Sequence, residues 1–132
     1  MSSLRIALAC LPFPESPDAS VTVAVAAIAE ASAAGAGLVC FPECFVPGYR
    51  ALGAPVPVMP AEWLATAHTT IADAARASGV AVVLGTERYV GDALRIGATG
   101  RGGADLIYGG SGVDALYGDA RLTLRGIGGN DT

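Results

Sequence analysis

Three features of this 132-residue chain predict an α/β fold followed by a compositionally distinct tail. Short runs rich in Val, Ile and Leu alternate with longer Ala-rich segments of helical periodicity. The two helical segments end at Gly35 and Gly79, residues suited to stopping a helix. The glycine content then steps up sharply: residues 1–96 hold seven of the 18 glycines and residues 97–132 hold eleven. The expected boundary lies there, with one domain over 1–96 and a tail over 97–132.

Residues 4–10 read as a first strand, with Pro12 and Pro14 directly beyond it. Asp18 is placed to cap a helix over 19–34, because a short side-chain acceptor satisfies the open N–H groups of a first turn. Val21, Val25 and Ile28 share one face of that helix, and Gly35 allows the left-handed exit. Residues 38–41 form a second strand, and a loop rich in Pro and Gly runs over 44–60. Residues 61–78 read as a second helix with Leu64, Ala67, Ile71 and Ala74 as its buried stripe. Residues 80–85 are apolar throughout, as a central strand is. Gly91-Asp92 is a two-residue turn joining 87–90 to 93–96 as a hairpin.

Composition excludes several function classes. Hydrophobic residues make up 52% of the chain, enough for a core, but aromatic residues only 6%. The net charge is −4, all eight basic residues are Arg, and charges are not clustered. Nucleic acid is therefore not an expected partner, since phosphate neutralisation needs grouped positive charge. Nor is a membrane, because Glu30 interrupts the longest apolar stretch. Cys40 and Cys44 on one extended segment would stand about 13 Å apart, too far for a disulfide. With Cys10 they suit a reducing, cytoplasmic compartment. One His and no Cys-x-x-Cys argue against zinc.

The most informative residue is Glu43. It closes the run Gly37-Leu38-Val39-Cys40-Phe41-Pro42-Glu43 and is followed by Val46-Pro47-Gly48-Tyr49. A buried strand here delivers a carboxylate to its C-terminal edge, where ligands bind in open α/β sheets. This stretch resembles the first signature of the nitrilase superfamily, the carbon–nitrogen hydrolases. The resemblance covers roughly residues 4–96 and implies the N-terminal half of a nitrilase-type αββα sandwich. It implies that Glu43 is the general base of a Glu–Lys–Cys triad, shielded from water at the sheet rim. A Cys thiolate would attack a nitrile or amide carbon, with Lys stabilising the tetrahedral species and Glu moving the protons. No other cofactor is implied for this part.

The chain departs from that pattern: it has no Lys, and no Cys follows Cys44. Cys44 adjoins Glu43, but neighbours on an extended segment face opposite ways, so it is a poor substitute nucleophile. Cys40 reads as a small buried hydrophobe and Cys10 as core, at the edge of the first strand. His68 reads as a boundary residue, and Trp63 and Tyr49 as core residues that could flank the site mouth.

In the tail, Gly100-Arg101-Gly102-Gly103-Ala104-Asp105-Leu106-Ile107-Tyr108 and Gly109-Gly110-Ser111-Gly112-Val113-Asp114-Ala115-Leu116-Tyr117 are consecutive nine-residue units. They resemble the RTX nonapeptide GGxGxDxUx. That resemblance implies a Gly/Asp-rich β-roll-like tail, disordered without metal, in which Asp105, Asp114 and Asp131 are calcium ligands. A secreted location would accompany such a tail.

The expected function is hydrolysis of nitrile or amide C–N bonds by family, in a truncated or rearranged chain that is inactive alone. The alternative is a calcium-binding repeat protein on an α/β scaffold. Expected partners are a small nitrile or amide, a second copy, or a complementing half-domain. An open sheet edge and an uncovered apolar face follow from a half-sandwich.

Overall fold

A computed structural model describes residues 3–49 and 55–101, with side-chain environments through 96. The elements are β1 (Ile6–Leu8), α1 (Pro17–Ala33), β2 (Leu38–Cys40), α2 (Ala61–Ser78), β3 (Ala81–Val90) and β4 (Ala93–Arg101). They form a mixed α/β unit around one sheet of order β1-β2-β3-β4. The first two pairings are parallel and the third antiparallel.

Helix α1 starts earlier than Asp18 suggests. Ser16 is the cap, its hydroxyl accepting from the Ala19 N–H at 3.1 Å. Pro17 takes the first helical position, where its fixed φ suits the helix and its missing N–H costs nothing. Asp18 falls in the first turn, where a carboxylate meets the positive end of the helix dipole. The buried face is Ser20, Ala24, Ile28 and Ala31, with Val21 and Val25 only partly buried. Helix α2 keeps its expected bounds, but Ala72 and Ala75 are buried where Ala74 was expected.

Both helices end alike. Gly35 has φ +76° and Gly79 φ +64°. After α1, Gly35 N–H reaches Ser32 O and Ala36 N–H reaches Ala31 O. After α2, Gly79 N–H reaches Arg76 O and Val80 N–H reaches Ala75 O. These crossed bonds satisfy the last carbonyls and turn the chain back towards the sheet. The Arg5 guanidinium donates to the Ala34 carbonyl, placing a cation at the negative end of α1.

The two helices lie side by side on one face of the sheet. Trp63 Nε1 donates to Asp18 Oδ1 at 3.0 Å near their starts, and Ser32 Oγ donates to Ser78 O at 2.8 Å near their ends. Trp63 thus joins the helices and does not flank a site mouth. Between helices and sheet lie Ala24, Ile28, Val39, Ile71, Val82 and Leu84, all buried. On the opposite face of β1, Ile6 is 49% and Leu8 73% exposed.

The strands differ from expectation in extent. β1 and β2 are three residues each. The pieces expected at 80–85 and 87–90 are one strand, β3, because Thr86 and Glu87 keep the extended alternation and both pair with β4. The ladder runs from Val90↔Ala93 to Val82↔Arg101, so β4 crosses the compositional step between 96 and 97. No helix among the described residues is long and apolar enough to cross a membrane.

Ile28 has no exposed surface and sits where both helices meet the sheet. Ile28→Ala should destabilise the fold by about 2–5 kcal/mol. Val58→Ala, at a residue 67% exposed, should stay within about 0.5 kcal/mol of wild type. Urea unfolding followed by circular dichroism measures both.

Candidate active site

The segment around Glu43 leaves the sheet and returns to it within a few residues. β2 ends at Cys40, and Phe41 N–H adds one more bond to β3 through Val83 O at 2.8 Å. The chain then turns: Phe45 N–H bonds Pro42 O at 3.3 Å, and Cys44 takes the left-handed φ of +48°. Val46 N–H bonds Gly85 O at 3.3 Å and forms a parallel bridge with Thr86. Gly48 N–H bonds Cys44 O at 3.2 Å, and the Val46–Pro47 peptide is cis. The turn carrying Glu43 is therefore fastened to β3 on both sides.

Gly85 makes this seat possible. A Cβ there would stand 2.0 Å from Pro42 O and 2.7 Å from Glu43 Cα. Both are backbone atoms, so no side-chain rotation could relieve the overlap.

Glu43 itself departs from expectation in two ways. It lies in a turn beyond β2, not on an extended segment, and its side chain is exposed, not shielded. The turn lifts the carboxylate off the sheet rim, and none of the described elements covers it from the solvent side. It lines an open pocket of about 250 Å³ with Leu11, Phe13, Pro14, Pro42, Phe45 and Tyr49. Phe45, 3% exposed, packs at a tilt on Phe41 with ring centroids 5.3 Å apart. Phe13 and Tyr49 stack at 5.9 Å with ring planes 14° apart. Tyr49 therefore belongs to the pocket mouth and is not a core residue, being 41% exposed.

The cysteines divide differently from the expectation. Cys44 is buried at 2% exposure beneath the turn, so it is no nucleophile for an exposed Glu43. Cys10 is exposed because β1 stops two residues before it. Cys40 is half-buried on β2, and loss of hydration pushes its thiol pKa up. None of the three forms a disulfide.

His68 is half-buried, and its Nε2 lies 2.8 Å from Thr86 Oγ1. This links α2 to the strand that seats the turn. Thr86 and Glu87, on β3, are buried polar groups, each 1% exposed. Sequence periodicity missed them, along with Gly85, Leu11, Phe13 and Pro14. The available signal was the polar pair directly after a glycine inside an apolar run. Asp105, Asp114 and Asp131, and any calcium held by them, lie outside the described residues.

A mixed sheet with helices on one face and a carboxylate on the turn past β2 defines an α/β protein with a rim site. Residues 5–113 match the family model described as carbon-nitrogen hydrolase, and the chain belongs to that family. The match runs through the first glycine-rich unit and into the second. Solved structures agree. An amidase from Nesterenkonia sp. is 29% identical, with TM-score 0.56, over 74% of this chain and 36% of that one. A double mutant of the amidase from Nesterenkonia sp. AN1, in complex with acrylamide, is 28% identical, with TM-score 0.55, over 72% of this chain and 36% of that one. A glutamine-dependent NAD(+) synthetase from Cytophaga hutchinsonii shares the fold at 22% identity and TM-score 0.52, over 76% of this chain and 19% of that one. The chain thus spans about a third of the length of the amidases it matches. No curated protein matches the sequence.

The contact at Gly85 makes a local prediction. Gly85→Ala should unseat the Glu43 turn while leaving the helices in place. In a thiol-modification assay, Cys44 should change from protected to reactive, about tenfold faster or more, with the far-ultraviolet spectrum unchanged. Cys44 protection equal to wild type would refute the close contact.

Proposed function

We propose that this chain supplies the general base, Glu43, of a site that hydrolyses amide or nitrile C–N bonds. The observation that carries the proposal is a carboxylate on a turn fastened to β3, lining an apolar pocket, in a chain of the carbon-nitrogen hydrolase family. In this reading a cysteine thiol attacks the amide carbon while Glu43 takes its proton. Glu43 passes that proton to the nitrogen, the C–N bond breaks, and ammonia leaves a thioester (a nitrile first takes the proton on nitrogen as a thioimidate). The restored carboxylate then activates the water that releases the acid and the thiol. A lysine would stabilise the tetrahedral intermediate. The amidase neighbours support this pairing: one is a glutamate-to-glutamine mutant with acrylamide added at its active-site cysteine.

Residues 1–132 contain no Lys and no Cys after Cys44. We therefore propose that the nucleophile and the cation come from other polypeptide, which would also cover the exposed carboxylate and exclude water from it. Arginine is an unsuitable stand-in for a compact ammonium, and no described Arg lines the pocket. Alone, the chain should release no ammonia from amides above background. Mixed with the part of the Nesterenkonia amidase outside the shared third, it should release ammonia. Glu43→Gln should then lower that rate by about 10²–10⁴-fold. Equal rates for Glu43→Gln and wild type would remove Glu43 from the mechanism.

A second proposal concerns the tail, where two nonapeptide units follow each other in phase. Asp105, Asp114 and Asp131 offer carboxylates to calcium, a cation that prefers oxygen ligands. Calorimetric titration of the full chain should show calcium binding, weakened by Asp114→Ala. No heat of binding up to millimolar calcium would exclude the site.

A further inference from the structure

We propose that the pocket beside Glu43 selects a primary amide with a flat, apolar acyl group, in preference to a nitrile or a small aliphatic amide. This rests on reading Glu43 as part of a C–N hydrolase site and narrows the substrate of that same site.

The lining carries the argument. Of the described residues around the pocket, Glu43 alone is charged, and the rest present hydrocarbon or aromatic surface. Pro14 and Pro42 are rigid walls, and Phe45 is a buried floor. Phe13 is 71% exposed, yet its ring is held parallel to Tyr49. A stacked aromatic pair left open to water beside a carboxylate is a surface awaiting a flat apolar partner. The volume of about 250 Å³ accepts a single ring or a short conjugated chain but leaves an acetyl group with few contacts.

Glu43 supplies the polar half of the choice. An ionised carboxylate only accepts hydrogen bonds. A primary amide brings two N–H donors to it. A nitrile brings none, and the carboxylic acid product brings none and a like charge. The pocket therefore binds amide and repels acid, which assists product release.

The test is a two-dimensional ¹H–¹⁵N NMR titration of the full chain with benzamide, benzonitrile, benzoate and acetamide. Benzamide should shift the amide signals of Phe13, Glu43, Phe45 and Tyr49 saturably. The other three should bind about tenfold more weakly or worse. Phe13→Ala, at an exposed site that does not threaten folding, should weaken benzamide about tenfold. Glu43→Gln should erase the preference for benzamide over benzoate. Benzonitrile, benzoate or acetamide binding as tightly as benzamide would overturn the proposal, as would shifts elsewhere or none. Because binding is read on the chain alone, it separates from catalysis. Selective benzamide binding with hydrolysis indifferent to Glu43→Gln would retain the pocket and discard the general base.

Discussion

The site depends on one close approach. The chain passes over β3 with Pro42 O and Glu43 Cα so near Gly85 that a single methyl group would not fit. Two backbone bonds, from Phe41 to Val83 and from Val46 to Gly85, hold the crossing from either side. Backbone contacts of this kind fix a carboxylate more firmly than side-chain packing does, because neither partner can change rotamer. The position of Glu43 is thus a property of β3 as much as of the turn that contains it. His68, by meeting Thr86, extends that dependence to α2.

The sheet has two unlike faces. On one, the helices bury small residues such as Ala24, Ala31, Ala67 and Ala75, which lets the backbones come close. On the other, Ile6 and Leu8 remain largely in water. The exposure of Glu43 belongs with the exposure of these residues. The chain spans about a third of the length of the amidases it resembles. Among the described residues, nothing covers either the outer face of β1 or the carboxylate.

Much of this was legible in the sequence, for local reasons. Both helices and their stops were visible because periodicity and a glycine past the last turn are local signals, and α2 ran over the expected residues. The cap of α1 was misplaced because Ser16 and Asp18 are both competent acceptors, and Pro17 decides between them. The sequence divides β3 into 80–85 and 87–90 because Gly85 and polar Thr86 look like a break. In the fold they are where the Glu43 turn docks, and a polar or glycine residue in a strand often marks such a contact. Phe13 is not legible in the sequence for a different reason. Its partner Tyr49 lies on another loop, and nothing in the local pattern joins them.

Family membership and the missing side chains lead to one further step. A triad divides its work between attack, proton transfer and charge stabilisation, and each member is of little use without the others. Here the seat of Glu43 consists of the glycine, the two flanking bonds and the left-handed Cys44. Folding gives one account of this, since the turn also buries Cys44, Phe45 and Val46 against β3. Chemistry gives another, since it leaves Glu43 and a pair of stacked rings outside. A turn kept only for packing has no reason to hold its carboxylate and aromatic rings together around one pocket. That juxtaposition is the observation on which the proposed C–N hydrolase site rests.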